Sequence, residues 1–266
     1  MHIRIRRLFA VLFIILVSAL LWLYSDWRWF SLTPLTPPEQ PFYYIVYPGM
    51  NITALAHDLY ERDLLKKPRY FTTLAKFSGL GTQLKAGEYH LREGMRPRDF
   101  LQKIANGDVV MHRLVLLEGW NFKQVMAALQ ANPKIKQKLQ GLSAEEIMRV
   151  ISGDAKHPEG LLFPDTYQFT LGLSDIAILR HAYETMHTKL ENIWQNRDDG
   201  LPYQTAYEAL IVASIIEKET ALEQERPLVA SVIVNRLRKR MRLQVDPTVI
   251  YGLGEELTGA LKHSHL

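Results

Sequence analysis

The sequence predicts an α+β fold that follows a single N-terminal membrane helix. Three observations support this prediction: an apolar run opens the chain, a unit of short strand, glycine turn and helix then occurs three times, and helical periodicity dominates the rest. The chain has 266 residues, of which 47% are hydrophobic and 23% charged, as is usual for globular proteins. The apolar content is therefore sufficient for one or two hydrophobic cores.

The charge pattern and the lack of cysteine exclude several classes of protein. The formal net charge of +4 suits an acidic polymer or an anionic membrane surface. The Lys and Arg residues are scattered without interleaved aromatic residues, so nucleic acid is not predicted as a partner. The chain contains no Cys, which excludes disulfides and thiolate sites.

The run from Leu8 to Tyr24 contains one polar residue, Ser18, and predicts a transmembrane helix. Its length is about 25 Å as a helix, and two tryptophans that follow it can complete the span at the interface. A cleaved signal peptide is the alternative, because Val17-Ser18-Ala19 resembles a cleavage site. The apolar run continues through residues 20–23, which favours a retained anchor.

Arginines at positions 4, 6 and 7 precede this run and predict its orientation. By the positive-inside rule, residues 1–7 form a cytoplasmic N-terminus and the rest of the chain faces outward. In a bacterium with two membranes, the chain would be a single-pass protein of the inner membrane with its bulk in the periplasm.

Residues 25–42 are predicted to be an extended spacer because prolines are dense from Pro34 to Pro41. The repeated strand-turn-helix unit then appears at 44–51, 89–96 and 114–121. The helices that follow have start signals, which are an N-cap at Asn51, Pro97 at a first helical position, and a capping box from Asn121 to Gln124.

Two further stretches are predicted to frame a site. Residues 158–169 concentrate aromatic side chains around a proline turn that carries the acid Asp165; such a loop can form one wall of a glycan cleft. Residues 174–197 have the periodicity of an amphipathic helix. The segment from Ala127 to Gly153 is predicted to be helical scaffold.

The segment from Glu208 to Leu222 is predicted to be a helix buried on all sides, because its apolar residues spread around the circumference. A charge inside it needs an explanation. The helical neighbours of Glu217 are small residues, which leaves open space above its carboxyl group; they are Ala213, Ser214, Thr220 and Ala221. The alternative is that Glu217-Lys218-Glu219 is a solvated helix end.

The motifs that are missing limit the chemistry to carboxylates. The sequence has no H-E-x-x-H metal motif, no G-x-S-x-G or S-x-x-K nucleophile motif and no glycine-rich phosphate loop. Neither a metal nor a cofactor is predicted. An ordinary glycosidase needs two facing carboxyl groups, and Glu217 and Glu219 point in different directions on a helix.

Four ordered motifs carry a resemblance to a known family: Ala213-Ser214-Ile215-Ile216-Glu217-Lys218-Glu219-Thr220, then Val229-Ala230-Ser231-Val232, then Asn235-Arg236-Leu237, then Met241 to Gly252. They resemble the endolytic murein transglycosylases of the MltG (YceG-like) family, and the resemblance covers nearly everything after the membrane segment. It implies a LysM-like subdomain at 43–110 and a catalytic domain at 111–266. Family members continue well past the last motif, so the catalytic domain is expected to be incomplete at its C-terminus.

The resemblance implies a lyase with a single catalytic acid and base, at Glu217. In the family mechanism, one Glu protonates the β-1,4 glycosidic oxygen between N-acetylmuramic acid and N-acetylglucosamine, then takes a proton from the muramoyl 6-hydroxyl. The acid step needs a neutral carboxyl group, and the predicted burial favours that form at Glu217 more than at Glu219 or Glu223. The substrate-binding residues implied by the resemblance are Asp165, Tyr167, Ser214, Gln244, Asp246 and Thr248.

The implied function is cleavage within nascent glycan strands to give 1,6-anhydro ends, in cell-wall synthesis and glycan chain termination. The implied partners are peptidoglycan strands, the membrane and peptidoglycan synthases. The alternative, from a different functional class, is a membrane-anchored peptidoglycan-binding or scaffold protein without catalysis. The two hypotheses differ in whether 1,6-anhydro products form.

Overall fold

A computed structural model describes residues 2–154 and 157–254. It combines helices with small sheets, as predicted, and forms two compact units that meet in sequence at Met111 and His112. The final stretch of the predicted catalytic domain, 255–266, lies outside the described residues.

The first unit packs helices against a two-stranded antiparallel sheet. Strands β1 (Phe42–Val46) and β2 (Gly87–Leu91) pair with Tyr44 opposite Tyr89, and burial raises the pKa of both tyrosines. Its remaining elements are α1 (His2–Leu32), α2 (Ile52–Glu61), α3 (Pro68–Phe77) and α4 (Pro97–Asn106). The side chains of Tyr44, Tyr89, Leu55 and Phe100 lie in one buried cluster.

Local start signals in the sequence are confirmed by the structure. The Asn51 side chain accepts a hydrogen bond from the N–H of Ala54 at 2.9 Å and caps α2, and Pro97 opens α4. Asn121 and Gln124 exchange hydrogen bonds in a capping box. These bonds satisfy N–H groups that a helix leaves unpaired at its start.

Helix α1 continues well past the predicted end of the membrane span. The stretch from Arg6 to Leu32 is long and apolar enough to cross a membrane. The structure therefore places helix where the sequence predicts the first part of the extended spacer. Further along the predicted spacer, Leu35 is buried in the core of the first unit. Proline density predicts the break in the helix, and the apolar Leu35 explains why the following segment folds onto the unit.

The second unit begins with a two-stranded sheet formed by β3 (Met111–Val115) and β4 (Thr166–Thr170). Helices α5 (Phe122–Gln130), α6 (Ala144–Ser152) and α7 (Asp175–Gln195) contribute to its first apolar cluster. The buried carboxylate of Asp175 accepts hydrogen bonds from the N–H groups of Lys138 and Leu139 at 2.8 and 3.0 Å. This carboxylate holds the loop after α5 to the start of α7.

The last part of the unit carries the candidate site. It consists of α8 (Ala206–Glu219), a 3₁₀ turn (Glu223–Glu225), α9 (Arg226–Arg238) and α10 (Asp246–Leu253). A small apolar cluster joins these helices, with Val212 and Ile215 of α8 against Ile233 of α9. Leu243 and Val245 pack on the same cluster and bring in the segment before α10.

Candidate active site

Helix α8 is not buried on all sides, so that prediction is wrong for the described residues. Val212 and Ile215 are buried, but Ile211 is 44% exposed and Leu222 lies outside the helix. The helix also ends at Glu219, so Thr220 and Ala221 do not extend the face of Glu217. Apolar composition predicts burial of the whole helix, but it does not show which faces neighbouring elements cover.

Glu217 is held by a cation from the next helix. Nη2 of Arg226 donates a hydrogen bond to Oε2 of Glu217 at 2.9 Å, and the two side chains are 43% and 31% exposed, respectively. The Nε–H of Arg226 is buried and has no hydrogen-bond partner among the described residues. A buried unpaired donor is unfavourable, so this atom is suited to bind an oxygen atom of a ligand.

A short clamp positions Arg226 relative to Glu217. Thr220 ends α8 in an extended conformation, and its hydroxyl donates to Oε2 of Glu225 at 2.7 Å. The same hydroxyl accepts a hydrogen bond from the N–H of Leu222 at 3.0 Å. The clamp therefore holds the 3₁₀ turn against the end of α8, and Arg226 begins α9 directly after it.

A pocket of about 370 Å³ lies beside the ion pair. Its apolar wall is made mostly of small side chains; the lining residues are Ala213, Ile216, Glu217, Arg226, Pro227 and Ala230. Small side chains at Ala213 and Ala230 leave room for a ligand next to the carboxylate. Within the described residues, no group of three or more His, Asp or Glu side chains could hold a metal ion.

A glycine turn approaches Glu217 from another part of the unit. Gly119, between β3 and α5, has φ of +73°, which disfavours other residues. A Cβ atom at Gly119 would lie 3.6 Å from Cγ of Glu217 and 3.4 Å from Nζ of Lys218. The sequence predicts this turn as part of a repeat, but its proximity to the site depends on tertiary structure.

Glu159 is a second carboxylate that touches the same turn region. Its oxygens accept hydrogen bonds from the N–H of Phe122 at 3.2 and 3.3 Å, at the start of α5. Burial and a hydrogen bond with Glu159 raise the pKa of the Tyr251 hydroxyl on α10. Sequence reasoning did not single out Glu159, although it lies within the 158–169 loop.

Two predicted binding residues in that loop make internal bonds. Oδ1 of Asp165 accepts from the N–H of Thr166 at 2.6 Å, and the carbonyl of Asp165 accepts from the N–H of Leu116. Tyr167 is only 6% exposed, and its hydroxyl donates to the carbonyl of Phe163 at 2.6 Å. The ring of Tyr167 belongs to the apolar cluster of the second unit rather than to an open surface.

The other predicted binding residues lie on exposed positions. The hydroxyl of Ser214 donates to the carbonyl of Ile211, and that of Thr248 donates to the carbonyl of Val245, both at 2.7 Å. Gln244 is exposed and adopts a left-handed backbone conformation, with φ of +51°. Asp246 begins α10, which also contacts α8.

Comparisons with known proteins agree with the motifs. The YceG-like family model matches residues 44–266. The chain belongs to the YceG-like family. Among curated proteins, it is 31% identical to the endolytic murein transglycosylase of Bacillus subtilis. The alignment extends over 229 residues and covers 78% of this chain and 62% of that protein. It is 26% identical to the protein of the same name from Streptococcus pneumoniae D39. That alignment extends over 260 residues and covers 85% of this chain and 46% of that protein.

This YceG-like chain thus spans about half to two thirds of the length of these relatives. A crystal structure at 2.6 Å of the YceG-like protein lmo1499 from Listeria monocytogenes matches it with 24% identity and a TM-score of 0.46, over 85% of this chain and 79% of that one.

Proposed function

We propose that this YceG-like chain is a membrane-anchored endolytic murein transglycosylase in which Glu217 is the catalytic acid and base. The observation that carries the proposal is the position of Glu217 at a pocket walled by small side chains. The names of the curated relatives support the choice of peptidoglycan as the substrate.

In the first step, Glu217 gives its proton to the glycosidic oxygen after N-acetylmuramic acid, and the bond from C1 to that oxygen breaks. The leaving strand departs with a new hydroxyl group, and positive charge develops at C1 and the ring oxygen. The proton for this step comes from Glu217, which also accepts the hydrogen bond from Arg226. Apolar composition predicts burial of Glu217, whereas its side chain is about a third exposed beside a cation.

In the second step, the carboxylate of Glu217 takes the proton of the muramoyl 6-hydroxyl while O6 bonds to C1. The product is a 1,6-anhydro ring, no water is consumed, and Glu217 regains its proton. Arg226 stabilises the carboxylate form that exists between the two steps, because its guanidinium donates to Oε2. One carboxyl group is sufficient for both proton transfers.

The N-terminal helix supports a membrane-bound location for this chemistry. Arg6 and Arg7 precede the apolar stretch, which favours a cytoplasmic N-terminus and a periplasmic site at the inner membrane. We further propose that the first unit is a LysM-like, glycan-binding module and that residues 111–266 contain the catalytic domain. Asp165, Ser214, Gln244, Asp246 and Thr248 are proposed substrate contacts at exposed positions. Tyr167 is buried, and we propose that it contributes to substrate binding by supporting the 158–169 loop from inside.

Incubation of the full chain with purified sacculi, followed by mass spectrometry of released fragments, tests the proposal. The expected products are internal glycan fragments with 1,6-anhydro-muramoyl ends. Reducing muramoyl ends would indicate hydrolysis and would refute the transglycosylase step. Binding to sacculi without any released fragment would favour the alternative, a non-catalytic peptidoglycan-binding protein.

A further inference from the structure

The depth of the membrane surface along α1 follows from the length of the apolar stretch. A hydrocarbon layer of about 30 Å needs about 20 helical residues. Counted from Arg7, the last basic residue before the span, the outer boundary falls near Asp26 and Trp27. Side chains that contact these residues therefore lie at the level of the lipid headgroups.

The start of α3 lies at this depth. Asp26 pairs with Nζ of Lys67 and accepts a hydrogen bond from the hydroxyl of Tyr70 at 2.8 Å. Nζ of Lys67 also lies 5.2 Å from the ring centre of Trp29. Carboxylate, ammonium and aromatic groups are thus joined where α1 leaves the apolar layer.

The junction between α1 and the first unit is packed rather than hinged. The rings of Trp27, Phe30 and Tyr70 lie 5.6 to 6.0 Å apart, and Phe30 is buried in the core of the unit. The N–H of Leu35 donates to the carbonyl of Met95 at 2.8 Å. Because the helix and the unit share a core, the orientation of the helix in the membrane also sets the orientation of the unit.

The surface around this junction is basic. Arg28, Lys66 and Arg69 are exposed next to the contacts just described. Arg28 is two residues beyond Asp26 on α1, which is about 3 Å further from the bilayer centre. Each basic side chain next to a membrane span adds a roughly equal amount to the free energy of binding to anionic lipids. Trp and Tyr side chains favour the same headgroup layer.

We propose that the α1–α3 junction, which comprises residues 26–30 and 66–70, binds anionic phospholipid headgroups. This binding seats the first unit directly on the outward membrane surface in a fixed orientation. The proposal rests on α1 spanning the membrane and is independent of whether Glu217 is catalytic.

The test measures phospholipid binding to the full chain in detergent by native mass spectrometry, with phosphatidylglycerol and phosphatidylcholine as probes. We expect at least about 3-fold more bound phosphatidylglycerol than phosphatidylcholine. The double variant Lys66→Gln/Arg69→Gln should lose most of this preference. The control variant Lys76→Gln/Arg98→Gln removes the same charge at exposed positions outside the junction and should keep it.

Hydrogen exchange in lipid nanodiscs locates the effect. The first turn of α3 should exchange more slowly in phosphatidylglycerol than in phosphatidylcholine, and Lys66→Gln/Arg69→Gln should abolish the difference. Equal lipid preference in the two double variants, or equal exchange of α3 in both lipids, would overturn the proposal. Circular dichroism melts must show each variant folded before the lipid data are compared.

Discussion

Replacement of Thr220 by Val tests whether the clamp after α8 organises the candidate site. Val keeps the branched shape of Thr but removes the hydroxyl that bonds Glu225 and Leu222. Thr220 is buried, whereas Glu225 is exposed and can be rehydrated when the bond is lost. The effect on stability is therefore smaller than for a fully buried pair.

The magnitude follows from the two bonds. A hydrogen bond to a charged group contributes about 1.5–3 kcal/mol and a neutral one about 0.5–1.5 kcal/mol. Because water hydrates Glu225 once the bond is lost, the combined contribution of the two hydrogen bonds lies at the lower end of these ranges. We therefore expect a loss of about 2 kcal/mol in the free energy of unfolding. The start of α9 would also loosen, and with it the 2.9 Å contact from Arg226 to Glu217. Turnover should then fall about 10-fold, because small displacements of catalytic groups have large kinetic effects.

Urea unfolding and the rate of 1,6-anhydro product formation measure the two effects on the same samples. Thr220→Ser is the matched control, because it keeps the hydroxyl group and should lose less than about 1 kcal/mol. Equal stability and equal turnover in the Val and Ser variants would show that the hydroxyl does not organise the site.

Three further changes test other parts of the structure. Asp175→Ala should reduce the free energy of unfolding by about 3 kcal/mol in urea titrations, because it leaves the buried N–H of Leu139 and the partly buried N–H of Lys138 without an acceptor. Burial raises the pKa of Tyr167 to about 12. The folded state then keeps a proton that the unfolded chain loses near pH 10, so stability should fall as the pH rises from about 10 to about 12 in urea titrations across that range. Arg226→Gln should lower kcat about 10-fold on soluble glycan strands with KM within about 3-fold, and Arg226→Lys should recover part of the lost kcat, because Lys restores the cation beside Glu217.

Each of these changes has its own control. Asp198→Ala removes an exposed carboxylate and should leave stability within about 0.5 kcal/mol. Tyr167→Phe should flatten part of the alkaline slope, and an unchanged slope would contradict the assigned cause. Arg238→Gln removes an exposed arginine of the same helix and should retain turnover. Equal kcat in wild type and Arg226→Gln would show that the ion pair has no role in turnover.

Features that depend on local chemistry could be predicted from the sequence. The caps at Asn51 and Asn121 form because a side-chain oxygen bonds an N–H only three residues away. The amphipathic helix predicted at 174–197 is found as α7, since its apolar period is continuous. Composition also predicts an apolar helix long enough to cross a membrane, although α1 continues to Leu32.

Features that depend on tertiary contacts could not be predicted. Local patterns do not predict that Arg226 pairs with Glu217 or that Gly119 approaches it, because each contact requires the relative placement of separate elements. Tyr167 shows the same limit: an aromatic residue in a loop can face a ligand or the core, and here its ring is buried. The start of α10 shows the limit of local patterns, since Asp-Pro is common in turns and at helix starts alike.

The most direct test of the central proposal compares Glu217→Gln with Glu219→Gln. Gln at 217 keeps the shape and the hydrogen bond with Arg226 through its carbonyl oxygen but cannot deliver a proton, so release of 1,6-anhydro-muropeptides from sacculi should fall about 10²-fold or more. Glu219 is exposed at the end of α8, and its variant should retain activity close to wild type. Thermal melts must show both variants folded. Anhydro product at the wild-type rate with Gln at 217, or an equal loss in both variants, would contradict the account.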